Sequence, residues 1–379
     1  MAPDRIRPPA TRLLLCFPAL SLARKAVRSG LDPWLLVDRA QQRVFAPLAE
    51  GRLALVDPGD EADVAAAVAR VVRERAITHV LDAAGYPVAG VPGPESARAP
   101  HVLADIGELS RVLARSRHPV VRTRVVAAAG DVPAAAAELG WPVVVRSGCE
   151  QSVVGSPPAL RRWLAAPGRR APFAVAEFVA GPEVVTTTLT HDGMHRVVGL
   201  TARRPGDRGV RYLHPAPLCE SAATAVRATV TAMLDLVGYE FGPAETTVVL
   251  SECGPRIVGS RPCFGTRGIP RLIKTATGFD VQTELFRALA GVPVRPPAPR
   301  WFAAVEFPRP APARHGAGLP GWRVLAEGAT PEAVEARLDA ARDRVPHAGK
   351  AGRCVRSTGD TPRVEVSGIE DGTDWEQRL

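Results

Sequence analysis

The sequence is poor in the features by which several protein classes are recognised. Only 5% of its 379 residues are aromatic, three of them tyrosine. Single-strand nucleic-acid binders join a dense basic groove to stacking aromatics, so nucleic acid is not an expected partner. No run approaches the roughly 18–20 apolar residues of a membrane span, and no membrane partner is expected either. The six cysteines, Cys16, Cys149, Cys219, Cys253, Cys263 and Cys354, form no C-x-x-C pair and have no histidine at zinc spacing. They read as reduced, largely buried thiols of a cytoplasmic protein. P-loop, nucleophile-elbow and H-E-x-x-H patterns are all missing. His191, His195 and His214 lack metal-ligand spacing and read as surface residues. The turn Pro18-Ala19-Leu20-Ser21 has none of the glycines a dinucleotide fold needs there.

What is present suits a soluble chain of two or three packed subdomains. The net charge is +9, much of it in pairs such as Arg161-Arg162, Arg169-Arg170 and Arg203-Arg204. With nucleic acid set aside, that balance fits a phosphorylated or carboxylate ligand. Arg5, Arg7 and Arg12 followed by Leu13 to Ala23 imitate a signal peptide. Pro18 interrupts the run, however, and a helix (Leu20–Ser29) and a second strand (Trp34–Val37) follow at βαβ spacing, so the stretch reads as a first strand. Further alternation (Ala54–Val56 strand, Glu61–Arg75 helix, Thr78–Leu81 strand) predicts a small doubly wound parallel sheet. Gly85 to Pro100 is a linker, and Ala104–Ser116 is helical.

The chain is organised around Gly238 to Asp280. Thr246–Leu250 is β-branched and apolar, Ser251 to Pro255 is turn chemistry, and Arg256–Ser260 returns as a second strand. A loop with Gly265 and Gly268 follows, and Pro270 opens a helix. Such a layout points side chains of neighbouring strands into one cleft.

This stretch resembles the nucleotide-binding core of the ATP-grasp superfamily of carboxylate–amine and amino-acid ligases. The resemblance rests on Gly242-Pro243, Gly254-Pro255-Arg256-Ile257-Val258, Pro262, Gly265, Ile269-Pro270 and Ala276-Thr277-Gly278-Phe279-Asp280, matched in order and spacing. It implies an α/β fold with an α+β core: an N-terminal α/β domain over 1–100, an ATP-grasp domain over 101–298 and a small C-terminal α+β domain over 299–379. The departures carry as much information. The two magnesium carboxylates that the resemblance implies fall on Thr247 and Gly259, its asparagine on Arg261 and its phosphate-contacting arginine on Cys263. A lysine expected after Asp105 is Ile106.

Elsewhere the resemblance is better kept. Gly140-Trp141-Pro142-Val143-Val144-Val145-Arg146 ends on a cation implied to contact ATP phosphates, with arginine in place of lysine; the other reading of Arg146 is a solvated strand end. Ser147 to Gly155 is either a phosphate-cradling flap, served by Gly148, Ser152 and Gly155, or an ordinary hairpin. Phe173–Val179 resembles the adenine hinge, with the backbone at Glu177 and Val179 meeting the base and Glu183 accepting from the ribose hydroxyls; the other reading of Glu183 is a surface strand residue. Asp192-Gly193 turns a hairpin between Val184–Thr190 and Met194–Ala202. Arg203, Arg204, Arg208 and Arg211 fall in an expected loop suited to an anionic ligand, and Thr224–Leu236 is helical. After a linker at 291–299 come a strand (Trp301–Phe307), a helix (Pro331–Arg344) and a weak strand pair over Gly349–Glu365.

Two residues before Thr247, Glu245 shares its strand face and is a candidate ligand for a single magnesium. Arg261, Arg146 and Lys274 are candidates to replace the missing charge. The functions implied are an ATP-dependent ligase joining a small carboxylate to an amine or amino acid, or a catalytically silent relative binding a nucleotide or acidic metabolite. A third reading uses Cys149 or Cys263 as a nucleophile. A homodimer is compatible with all three.

Overall fold

The computed structural model describes residues 11–82, 98–116, 121–148, 150–205, 209–265, 268–308, 321–342 and 364–369. The fully apolar Leu13–Cys16 forms β1, buried along its whole length. Then come α1 (Leu20–Arg28), β2 (Trp34–Asp38), the single turn α2 (Gln42–Phe45), β3 (Leu53–Val56), α3 (Glu61–Arg75) and β4 (His79–Asp82). The four strands are parallel in the order β3-β2-β1-β4. Leu13, Leu15, Leu35 and Val37 pack with Leu22, Ala23 and Ala26 of α1. Their neighbours Leu14, Cys16 and Leu36 point the other way, onto Val68 and Val71 of α3. A parallel sheet covered on both faces needs such continuous apolar strands. Asp60 caps α3 by accepting from Ala62 N and Asp63 N, each at 3.0 Å, which satisfies two otherwise orphaned amides.

Two short helices, α4 (Arg98–Ala104) and α5 (Ile106–Ala114), lead into the second sheet. Its elements are β5 (Thr123–Val126), α6 (Val132–Leu139), β6 (Val143–Ser147), β7 (Glu150–Val154), α7 (Pro157–Leu164) and β8 (Phe173–Glu177). The strand order is β5-β8-β6-β7, all antiparallel. Its core joins Val143, Val145 and Val175 to Leu139 of α6 and to Leu160 and Trp163 of α7. Gly85 to Ala97 of the expected linker lies outside the described residues.

The third sheet is antiparallel and eight-stranded, in the order β13-β12-β9-β10-β11-β14-β15-β16. It is built from β9 (Glu183–His191), β10 (Met194–Pro205), β11 (Gly209–His214), α8 (Glu220–Leu236), β12 (Gly242–Ser251), β13 (Gly254–Arg261), α9 (Ile269–Thr277), α10 (Val281–Leu289), β14 (Phe302–Pro308), β15 (Gly321–Gly328), α11 (Pro331–Arg342) and β16 (Val364–Ile369). Period-2 alternation sorts β9: Val185 and Leu189 face Ile269, Leu272, Ile273 and Leu285 of α9 and α10, while Val184 faces Val226, Val230 and Met233 of α8. Residue 299 falls just before β14, which extends this same sheet. In the weak strand pair expected over Gly349–Glu365, only Val364 and Glu365 are among the described residues, and they open β16.

Two expectations are corrected. The four-arginine loop is a strand pair: Arg203 and Arg204 lie in β10 and Arg211 in β11, with Arg204 opposite Arg211; Arg208 lies outside the described residues. Isolated glycines and prolines there masked the cross-strand pairing that fixes the segment. Nor are the histidines all superficial. His214 is 3% exposed, and burial lowers its pKa to about 4. The side chain of His195 is enclosed between Thr190 Oγ1 at 2.8 Å and Asp235 Oδ1 at 3.2 Å.

Candidate functional site

The β12–β13 ladder sets the site. Glu245 lies opposite Arg261, Thr246 opposite Ser260 and Thr247 opposite Gly259, after which the register slips so that Val248 faces Ile257. Val258 is the residue left over. A bulge of this kind releases one backbone group from the ladder, and the Val258 carbonyl accepts a hydrogen bond from Arg146 Nη2 at 2.8 Å. Arg146 therefore reaches from β6 of the second sheet to β13 of the third. A second bridge runs from Arg256 to Glu177 Oε1 at 3.0 Å. These two arginines span the cleft between the sheets.

Gly259 is where Arg146 comes closest. A Cβ placed on Gly259 would lie 3.5 Å from Arg146 Nη1 and 3.9 Å from Nη2. The guanidinium thus lies over one of the two positions at which the resemblance implies a metal carboxylate. Burial lowers the pKa of Arg146, nearby Arg261 lowers it further, and Glu183 opposes the shift. Arg146 Nε is buried and has no hydrogen-bond partner. Among the described residues, neither Arg146 nor Arg261 forms an ion pair with a carboxylate. Partly desolvating Arg146 beside a second cation, the exposed Arg261, is costly unless an anion answers it.

Directly opposed residues of an antiparallel sheet share a face. One row across the third sheet therefore reads Arg261, Glu245, Thr187, Gly199. Glu245 is 8% exposed and Thr187 fully buried, and the Thr187 hydroxyl has no hydrogen-bond partner. Beside this row, burial and the charge of Glu245 push the Cys263 thiol up to about 12. Such a shift disfavours the thiolate that a nucleophile needs. Cys149 lies outside the described residues. The carboxylate of Asp82, at the end of β4, also bears on Cys16 and Cys263. Sequence reasoning missed Asp82, although the C-terminal end of a parallel strand is where such folds place ligand contacts.

At the hinge, Glu177 is held by Arg122 Nε at 2.7 Å and by Arg256, Val179 is half-buried, and Phe178 is exposed. Gly181 is required: with φ +146, a Cβ there would lie 2.1 Å from the Leu250 carbonyl oxygen. Glu183 pairs with Arg203. Gly148 turns β6 into β7 with φ +57, and Ser152 pairs with Val145 in the resulting hairpin. Lys274 binds Asp280 at 3.0 Å, together with Lys25 of α1, at a seam lined also by Arg28 and Arg287.

Solved structures share this fold. L-amino acid ligase from Bacillus licheniformis superimposes with TM-score 0.67 at 18% identity, over 88% of this chain and 97% of the other. N5-carboxyaminoimidazole ribonucleotide synthetase from Thermus thermophilus gives TM-score 0.64 at 18% identity, over 90% and 100%. Biotin carboxylase from Campylobacter jejuni gives 0.60 at 14%, over 94% and 92%. The chain has the ATP-grasp fold. No protein-family model matches the sequence, and no curated protein matches it.

Within this ATP-grasp scaffold a magnesium pair does not fit. Thr247 and Gly259 offer no carboxylate, and the guanidinium of Arg146 sits where a side chain from Gly259 would project. Glu245 remains as one buried acid on that face. Among the described residues no helix is long and apolar enough to cross a membrane. Of the described cysteines, Cys16 is buried and Cys263 half-buried, whereas Cys219 and Cys253 are exposed, against the expectation of largely buried thiols. Each exposed one lies where the chain enters a helix or turns a hairpin.

Proposed function

We propose that the cleft between the second and third sheets binds ATP, and that the protein is a carboxylate–amine ligase in which Arg146 and Arg261 take over charge neutralisation from a magnesium pair. The observation that carries this is the half-buried Arg146, its Nε enclosed and unbonded, beside the exposed Arg261 and without an ion-pair partner among the described residues. A triphosphate brings roughly four negative charges near neutral pH, and arginine meets phosphate oxygens with a planar fork of donors. Glu183, at the start of β9, would accept ribose hydroxyls once Arg203 yields, and the backbone near Glu177 and Val179 would meet the base. Gly148 and Ser152 are placed on the hairpin carrying Arg146. ATP, when bound, would supply the phosphoryl group that activates a small carboxylate for attack by an amine or amino acid; stabilising charge on a transferring phosphoryl group is work that arginine does in other enzymes.

A second reading is favoured by the Glu183–Arg203 pair and by the missing metal acids: a silent member that binds a nucleotide or acidic metabolite as a regulatory protein, likewise in the cytoplasm. Thermal-shift titration with ATP, with and without magnesium, tests the common part. Ligand at one hundred times its Kd adds about 2.7 kcal/mol. Stabilisation that is independent of magnesium and lost in Arg261→Ala supports the arginine site; magnesium-dependent stabilisation lost in Glu245→Ala supports a single metal there. A lack of response to any nucleotide would sink the ligase and leave only a binder of an acidic metabolite. ADP release with amino-acid pairs then separates ligase from silent binder.

A further inference from the structure

Away from the Arg146 cleft, three metal-capable side chains meet between the first and third sheets. His79 begins β4, His191 ends β9, and Asp192 occupies the turn into β10 with φ 51. One ligand atom from each lies within 4.8 Å of the other two. The imidazole planes of His79 and His191 are 11° apart, with centroids separated by 6.1 Å. Phe241 packs edge-on against His79 at 4.6 Å, which restrains the ring.

Hydrogen bonding selects the tautomer of His79. Thr78 Oγ1 donates to the Arg12 carbonyl at 3.1 Å and accepts from Arg12 N at 3.0 Å. With its one proton directed there, its 2.9 Å contact with His79 Nδ1 makes that nitrogen the donor. His79 Nε2 then carries the lone pair. Metal-bound histidines are oriented in this way, with the second ring nitrogen donating to a fixed acceptor.

We propose that His79, through Nε2, together with His191 and Asp192 binds a first-row divalent transition-metal ion such as zinc, with the remaining position open to water. Imidazole nitrogen and carboxylate oxygen are the donors such ions take. In a tetrahedral site with metal–ligand distances of about 2.0–2.2 Å, two ligand atoms lie roughly 3.3–3.6 Å apart. The site must therefore close by about 1 Å on binding the ion, and Asp192, with its side chain 77% exposed, has room to move. An ion here would tie the edge strand β4 of the first sheet to the β9–β10 hairpin of the third. The inference does not depend on the nucleotide reading.

The test is calorimetric titration of the EDTA-treated, dialysed full chain with zinc chloride, repeated with cobalt(II) and copper(II). We expect one zinc per chain and a raised Tm. His79→Ala and His191→Ala should each weaken binding by about tenfold or more, and Asp192→Asn by less. Zinc affinity unchanged in both histidine variants, or no binding at millimolar zinc, overturns the proposal. So does a thiolate-to-cobalt charge-transfer band, which would place the ion on cysteine. Should His79→Ala not fold, copper(II) paramagnetic resonance of the unaltered protein decides: nitrogen coupling from two imidazoles supports the site, and fewer than two overturns it.

Discussion

The Arg146 guanidinium donates to the Val258 carbonyl, the one carbonyl that the slipped register of the β12–β13 ladder leaves over. A local irregularity in one sheet thereby anchors a cation carried by another. The same contact brings the charge over Gly259, where a side chain would otherwise stand.

Gly259→Asp should neutralise Arg146. The backbone there is not left-handed, and a Cβ meets only the guanidinium nitrogens at 3.5 and 3.9 Å, so the substitution is sterically mild. Magnesium-free ATP affinity should fall about tenfold, the equivalent of about 1.4 kcal/mol. The double variant Thr247→Glu/Gly259→Glu places two acids opposite one another and should make binding magnesium-dependent. Calorimetry in EDTA and in magnesium reads both outcomes; an unchanged affinity in Gly259→Asp would show that the phosphates lie elsewhere.

Arg203 competes with the ribose for the Glu183 carboxylate, with which it forms an ion pair. Removing the cation in Arg203→Leu should free the carboxylate and tighten ATP binding several-fold, the scale of one charge-assisted hydrogen bond. Glu183→Ala should weaken ATP while leaving binding of a ribose-deoxygenated analogue unchanged. Equal losses for both ligands would remove the ribose role.

Acidification should destabilise the protein through His214. Its folded pKa of about 4 lies below the ordinary 6.5 because the ring is buried. The unfolded chain therefore binds more protons between those values, and stability falls as the pH drops from 6.5 towards 4. The span corresponds to about 3 kcal/mol at most. Asp280 acts lower down: burial opposes ionisation, but Lys25 and Lys274 hold its pKa at about 2. Its contribution is present above the ordinary carboxylate value and is lost as pH falls through 2. Urea midpoints measured from pH 7 to 4 should lose most of their slope in His214→Asn, compared with the same variant at pH 7.

Gly181→Ala should be severe. A methyl group at 2.1 Å from the Leu250 carbonyl oxygen collides with backbone, which cannot move without breaking the 2.9 Å bond from Leu250 N to the Pro182 carbonyl. A loss of about 3 kcal/mol or more is expected. Gly168→Ala, also at positive φ but with nothing within 4 Å, isolates the backbone cost of about 1–2 kcal/mol. Similar midpoints for the two variants would mean that the hinge relaxes.

Much of the scaffold was legible in the chain, because it rests on short-range physics. The apolar run at Leu13–Cys16, the helix stop at Gly30 and the Asp192-Gly193 turn each declare themselves within a few residues. Glu245 could be placed on the face of Thr247 by strand periodicity alone. The second sheet was less visible: β5 (Thr123–Val126) has no turn signal before it and only partial burial. Arg203, Arg204 and Arg211 looked like a loop because their partners Glu183, Glu335, Glu306 and Asp339 come from distant segments.

The amino-acid order by itself determined the alternation of strand and helix, the identity of the β12–β13 hairpin and the absence of acidic side chains at 247 and 259. Tertiary structure alone decided that the Arg146 guanidinium lies over Gly259. Whether Arg146 is a solvated strand end or a half-buried, anchored cation depends on which carbonyl the register slip frees, and that carbonyl lies on another sheet. Side-chain identity travels with the chain, but desolvation and proximity are properties of the packed whole.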